Sequence, residues 1–221
     1  MDKKKVLEEF YNQVEDFLKE HHFKLNKSQS IAKRKTEFGF DSLFFDVNDM
    51  VDNYSITTDL RIRNDAIQEI KGEINPRYIK RKDTPNVLEK VFTLLKRYDR
   101  LELDYEIENP GNLVNEKTLE AYLTAFKRFM NEVGFSFFNS FKTIKDFDNW
   151  FNSPLLDGTY NFDRGLNWNN SVSGLIAAKL SKNPRYQEIY DKWVSGISSK
   201  DTETLTELEA TKKYLDALTS N

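Results

Sequence analysis

Residues 54–63 (YSITTDLRIR) constrain the fold more than any other stretch. Tyr54, Ile56, Thr58, Leu60 and Ile62 alternate with Ser55, Thr57, Asp59, Arg61 and Arg63. A period of two places these sets on opposite faces of a sheet, one for a core and one for water or a partner. Such a strand needs neighbours to pair with it and helices to cover its apolar face, so the first expectation is an α+β fold.

The neighbouring stretches supply both. Leu7, Phe10, Tyr11, Val14, Phe17, Leu18 and His21 recur at steps of three and four and predict an amphipathic helix over residues 3–22. Residues 23–25 begin the sheet, and residues 28–36 continue it as a basic strand. Residues 38–47 (FGFDSLFFDV) are apolar at both parities, so this strand is either covered on both faces or reset by a bulge near Gly39. Asn64 or Asp65 caps a short helix with Ile67, Ile70 and Ile74 on its inner side, limited by Gly72 and Asn75-Pro76. Thr84-Pro85 reads as an N-cap and first helical residue, leading a helix with Leu88, Val91, Phe92 and Leu95 on one face.

A second clean alternation follows, with Leu101, Leu103, Tyr105 and Ile107 set against Glu102, Asp104, Glu106 and Glu108. Paired with the opening strand, it would place these carboxylates opposite Arg61 and Arg63. The sequence 109–112 (NPGN) is the strongest break, and all beyond it reads helical. Asn115 caps a helix with Leu119, Tyr122, Leu123, Phe126, Phe129, Met130 and Val133 on one side and Gly134 as its stop. That helix is expected to cross the sheet's apolar face. The phenylalanine-rich run over residues 135–151 has helical spacing and reads as core. Further helices follow over 171–180, after Pro184, and from Thr202 with Leu205, Leu208, Leu215 and Leu218. The fold class is therefore α+β, an antiparallel sheet of about four to five strands with helices on one face and a helical C-terminal half. The whole chain, 1–221, is expected to be a single domain, divided into a helix-plus-sheet subregion (1–109) and a helical subregion (110–221).

Composition narrows the function more by exclusion than by indication. Residues 1–109 carry 20 basic and 22 acidic side chains and residues 110–221 carry 13 and 14, so neither half is a basic module, and nucleic-acid binding is not expected. The absence of cysteine removes thiolate zinc sites, disulfides and cysteine nucleophiles. No stretch has the ~18 apolar residues of a membrane helix, and the N-terminus lacks a leader's apolar segment, so a cytoplasmic protein without membrane contact is the simplest reading. No cofactor motif is present.

Several constellations invite chemistry and favour a plainer reading. His21 and His22 are the only histidines, but adjacent helical residues point about 100° apart and do not share a metal. The Asp/Asn cluster at 46–53 lacks the glycine and ligand spacing of a calcium loop and reads as a turn. Ser173-Gly174 is not a nucleophile elbow, because Ser171 stands where the first glycine belongs. Residues 152–170 form the longest stretch without periodicity. With Tyr160, Asp163, Arg164 and Trp168 as likeliest contacts, they make a second candidate surface beside that of Asp59, Arg61, Arg63, Glu102, Asp104 and Glu106.

Several local strings, HHFKL (21–25), KRKTEFGF (33–40), FFDVND (44–49), YSITTDLRI (54–62) and AAKLSKNPRYQEI (177–189), resemble a bacterial domain-of-unknown-function family in which a helix is followed by an antiparallel meander. That resemblance implies an immunity-type role beside toxins, as attributed to some members, and carries no catalytic residue. His22-Phe23 stands where the family's glycine-phenylalanine would be. The leading expectation is a non-enzymatic protein-binding module, immunity-like or accessory. The alternative is a metal-dependent hydrolase of phosphodiesters using Asp41, Asp46 and Asp59. A third reading, nucleic-acid binding, would use Lys33, Arg34, Lys35, Arg77, Tyr78, Lys80 and Arg81.

Overall fold

The computed structural model describes residues 3–78, 84–100, 112–162 and 167–218. In chain order the elements are α1 (Lys3–Lys19), β1 (Lys24–Asn26), β2 (Ile31–Lys35), β3 (Gly39–Asp49), β4 (Tyr54–Asn64), α2 (Asp65–Ile74), β5 (Val87–Lys90), α3 (Val91–Arg97) and β6 (Asn112–Leu113). They continue with α4 (Glu116–Phe129), a π turn (Met130–Gly134), α5 (Phe135–Asn139), α6 (Ile144–Leu156), α7 (Asn167–Leu180), α8 (Tyr186–Gly196) and α9 (Thr202–Ala217). The fold is α+β with a helical C-terminal half. Five strands lie in the order β1-β2-β3-β4-β5, and the two-residue β6 also pairs with β4.

The chain forms two compact units that interleave in sequence. The first comprises residues 1–62 and 87–140, and the second residues 63–86 and 141–221. The division expected near residue 109 is therefore redrawn. Helix α4 belongs with the sheet because its apolar stripe covers it, whereas α2 belongs with the later helices.

In the first unit β4 alternates as its sequence demands, with Tyr54, Ile56, Thr58, Leu60 and Ile62 buried and the residues between them more open. Helices α1 and α4 cover that apolar face. The Phe10 ring of α1 meets Phe45 of β3 at 5.5 Å and Tyr122 of α4 at 5.8 Å, while Phe126 meets Phe45 at 5.8 Å. The Tyr122 and Thr58 hydroxyls lie 3.3 Å apart, satisfying both inside the core. Gly134 is not a helix stop. Its backbone is right-handed helical, and a Cβ there would stand 2.6 Å from Met130 Sδ and 3.6 Å from a Leu60 methyl, so glycine lets the helix lie close to β4.

Three other expectations change. Residues 87–90 form strand β5 on the edge of β4, and the helix begins only at Val91. Thr84-Pro85 thus precedes a strand, as proline's missing N–H also allows. The strand expected over 28–36 starts at Ile31, because residues 27–30 turn back from β1 through Gln29 N–H to Asn26 O and a left-handed Ser30. The aperiodic stretch 152–170 is helical at both ends: α6 runs through Pro154 to Leu156 and α7 begins at Asn167.

In the second unit, Asn64 caps α2 by accepting from Ile67 N–H at 3.1 Å, and Asp201 rather than Thr202 caps α9. Helix α7 is buried nearly all round from Ser171 to Ala178, so it is the core of this unit. Leu218, expected inward, is half exposed. No described helix is long and apolar enough to cross a membrane.

Candidate functional site

The second face of β3 shows what this sheet offers a partner. Asp41, Leu43 and Phe45 point toward the helices, so Phe40, Ser42 and Phe44 point away from them. The register sets Phe44 opposite Ile31, Ser42 opposite Lys33, and Phe40 opposite Lys35. One strand further, Lys24 is opposite Lys33. On the other side of β3, the Arg61 guanidinium lies 4.1 Å from the centre of the Phe44 ring, and the register adds Leu88 beside Arg61 and Lys90 beside Asp59.

In the middle of β3 both faces are buried, since Ser42 is as inaccessible as Asp41 and Leu43, in line with the first of the two alternatives. Its outer phenylalanines are half-buried because neighbouring cations lie across them, with Lys33 Nζ 4.8 Å from the Phe40 ring centre and Arg61 over Phe44. A cation over a ring face is attracted by the ring quadrupole and shields apolar surface with its own stem. Arg61 is also held by Asp59, with Nη2 donating to Oδ2 at 3.0 Å along the same strand face. The face gathers Lys24, Lys33, Lys35, Arg61 and Lys90 against Asp46 and Asp59. It is locally basic on a chain whose formal charge is -3. At the β1–β2 side it opens into a groove of about 580 Å³ lined by Lys24, Asn26, Lys27, Ile31 and Lys33.

Of the residues singled out from sequence, Asp59 and Arg61 stand on this face, as each other's partners. Arg63 belongs to the second unit, where its Nε bonds Asp65 at 2.6 Å. The charge ladder with Glu102, Asp104 and Glu106 falls outside the described residues, as do Asp163 and Arg164. In the register, Arg61 faces Leu88 rather than a carboxylate. Trp168 lies on α7, its side chain outside what is described. Tyr160 is not an exposed contact: its ring packs edge-on against Trp193 at 4.7 Å, and its hydroxyl accepts from Asn170 Nδ2 at 3.1 Å.

The acidic residues of the hydrolase reading do not converge. Asp41 lies on the helix-covered face and Asp46 and Asp59 on the other, and no group of three metal-ligating side chains occurs among the described residues. Asp41 is almost wholly buried, which pushes its carboxyl up to about 6 against the opposing pull of Arg34, whose Nε donates to Oδ2 at 2.8 Å. His21 stacks on Phe135 at 3.7 Å, and burial lowers its basicity.

A second polar cluster, in the helical unit, was missed from sequence. Helix α2 buries Gln68 and Lys71 beside Ile67, whereas Ile70 and Ile74 are only half-buried. Lys71 Nζ donates to Asn169 Oδ1 at 2.8 Å and Ser173 Oγ at 3.3 Å and sits 4.8 Å from the Tyr78 ring centre. Burial lowers the Lys71 ammonium to about 8. Glu207 of α9 accepts from the Tyr78 hydroxyl at 2.7 Å and from Arg77 Nη2 at 2.8 Å. The pairing of a serine with a lysine of lowered pKa has the makings of a nucleophile and base, but both side chains are fully buried. The cluster ties α2 to α7 through Lys71 and, through Asn75 and Glu207, to α9.

No family model matches this sequence, and no curated protein and no solved structure matches it.

Proposed function

We propose that this protein is a binding module without chemistry of its own, and that it works through the outer face of its sheet on a macromolecule that presents negative charge. The observation that carries this reading is the lattice of cations and rings on β1–β5, where Lys33 and Arg61 are held over Phe40 and Phe44. Ordering these side chains in the free protein lowers the entropic cost of presenting them to a partner. Complementary potential then steers an anionic partner onto the face. A bacterial, cytoplasmic protein binding an acidic protein, in an accessory or immunity-like role, is the form of this reading that the local sequence resemblance supports.

Retention on immobilised heparin tests the face directly. The wild-type chain is expected to bind at low salt and elute as salt rises, whereas a Lys24→Glu, Lys33→Glu, Lys35→Glu variant with an unchanged circular dichroism spectrum flows through. Passage of the wild type through the column at low salt, or equal retention of the variant, overturns the proposal.

A further inference from the structure

The sheet unit also holds a cavity of about 220 Å³, at the point where β4 changes partners. Strand β6 meets β4 at Tyr54 and Ser55, and β5 meets it from Asp59 to Ile62, so Ile56, Thr57 and Thr58 lie between the two pairings. Among the described residues that line the cavity, Ile56, Thr58, Val91 and Tyr122 are buried, Asp59 is half-buried and Lys90 is exposed, so it runs from the core to the surface. We infer that this cavity binds a small organic acid, with the carboxylate on Lys90 and a neutral carbonyl oxygen on the hydroxyl pair of Thr58 and Tyr122.

The inner end calls for a hydrogen-bond acceptor. Tyr122 is 1% exposed and Thr58 5%, and their hydroxyls bond at 3.3 Å. That bond gives each oxygen a partner but uses only one of the two hydroxyl protons. Whichever group donates, the other keeps an O–H with no acceptor among the described residues, at the wall of the cavity. Burial pushes the Tyr122 phenol up to about 12, so it stays protonated. The acceptor is neutral, because an ionised group among two hydroxyls and two aliphatic side chains would lose its hydration without a counter-charge. The outer end calls for an anion. Asp59 already accepts from Arg61 at 3.0 Å, which leaves the exposed Lys90 ammonium as the uncompensated charge of the rim. The apolar walls of Ile56 and Val91 suit a short hydrocarbon body. A cavity of ~150 Å³ holds benzene, so about 220 Å³ suits roughly 6–10 non-hydrogen atoms.

The probe is 4-oxopentanoate, eight non-hydrogen atoms with a ketone two methylenes from the carboxylate, followed through the amide shifts of the isotope-labelled chain. Shifts at Thr58, Lys90 and Tyr122 are expected to move and saturate. Hexanoate, of equal size without the ketone, should bind about 2- to 13-fold more weakly, the worth of one neutral hydrogen bond. The methyl ester of the probe, without the charge, should bind about 2- to 5-fold more weakly, the worth of an exposed ion pair. The Thr58→Val, Tyr122→Phe variant, which replaces both hydroxyls so that neither is left unpaired, should bind the oxo acid and hexanoate alike. Lys90→Gln, at an exposed position, should bind the acid and its ester alike. Absence of saturable shifts up to ~20 mM, about the weakest affinity of a ligand this size, or wild-type affinity that ignores the ketone or the charge, overturns the inference. Lys24, Lys33 and Lys35 lie on β1 and β2 and none of them lines the cavity, so this outcome is independent of heparin retention.

Discussion

The two units put their polar groups to opposite uses. In the sheet unit, Lys33 and Arg61 are half-buried on an outer face and lie over phenyl rings. In the helical unit, Gln68, Lys71, Asn86, Asn169 and Ser173 are inside and bonded to one another, and Glu207 is bonded to Arg77 and Tyr78. The difference teaches where function and stability reside. A charged group that keeps part of its solvation is cheap to display. One that has lost it must be satisfied at once, and then serves specificity of packing more than net stability.

Removing one buried partner tests that comparison most severely. Glu207→Ala leaves the Tyr78 hydroxyl without its acceptor and the buried Lys71 without a nearby carboxylate, while Arg77 keeps Glu203, and is expected to destabilise the chain by about 1–3 kcal/mol in denaturant titration. A loss below about 1 kcal/mol would place the cluster with surface ion pairs and break the contrast. Lys71→Met, of similar length without the charge, relieves the burial of the ammonium but leaves Asn169 Oδ1 and Ser173 Oγ without their donor, and is expected to cost about 1–3 kcal/mol.

The pH dependence of the same lysine sharpens the point. Its ammonium falls from 10.5 unfolded to about 8 folded, so between these values the unfolded chain binds more protons and stability rises with pH. Thermal melts should show this rise in the wild type and lose it in Lys71→Met. Asp41 gives the mirror case. Its carboxyl rises from 3.8 unfolded to about 6 folded, so the folded chain binds more protons in that window and stability falls as pH rises through it. Melts of Asp41→Asn between pH 4 and 6 should be flatter than those of the wild type.

A packing test comes next. A Cβ on Gly196 would collide with the Phe162 ring, which itself packs against Trp193 at 5.8 Å. Gly196→Ala is expected to cost about 1–3 kcal/mol through displaced rings. The smallest effect belongs to the sheet face, where Arg61→Ala removes a half-exposed ring contact and should cost only about 0.5–1 kcal/mol. A much larger loss would show that the face is structural rather than presented.

Particular residues mark how far the sequence was legible. The alternation over residues 54–63 and the stripe of α4 are periodic and apolar, and both were readable because burial acts on each element separately. Helix α2 misled, because its isoleucines are spaced for one face while Lys71 and Gln68 occupy another, bonded by Asn169 and Ser173 of α7 and by Asn86. Local hydrophobicity carries no signal of a distant partner. Residues 87–90 misled for a related reason: Pro85 is compatible with either helix or strand, and the free edge of β4 decided between them.

The candidate face was half visible. Asp59, Arg61 and the basic run at Lys33 to Lys35 stood out, but their relation to Phe40 and Phe44 did not, since charges averaged along the chain gave a near-neutral result. What the sequence determined by itself was the fold class, the central strand with its two faces, and the helices that cover one of them. These follow from periods of two and 3.6 residues acting locally. Only the tertiary structure decided that one acidic chain collects five cations and two rings on a single sheet face, and that a lysine lies buried beside a serine and a tyrosine. Strand register and helix docking join residues far apart in sequence, and no local pattern encodes which strangers they bring together.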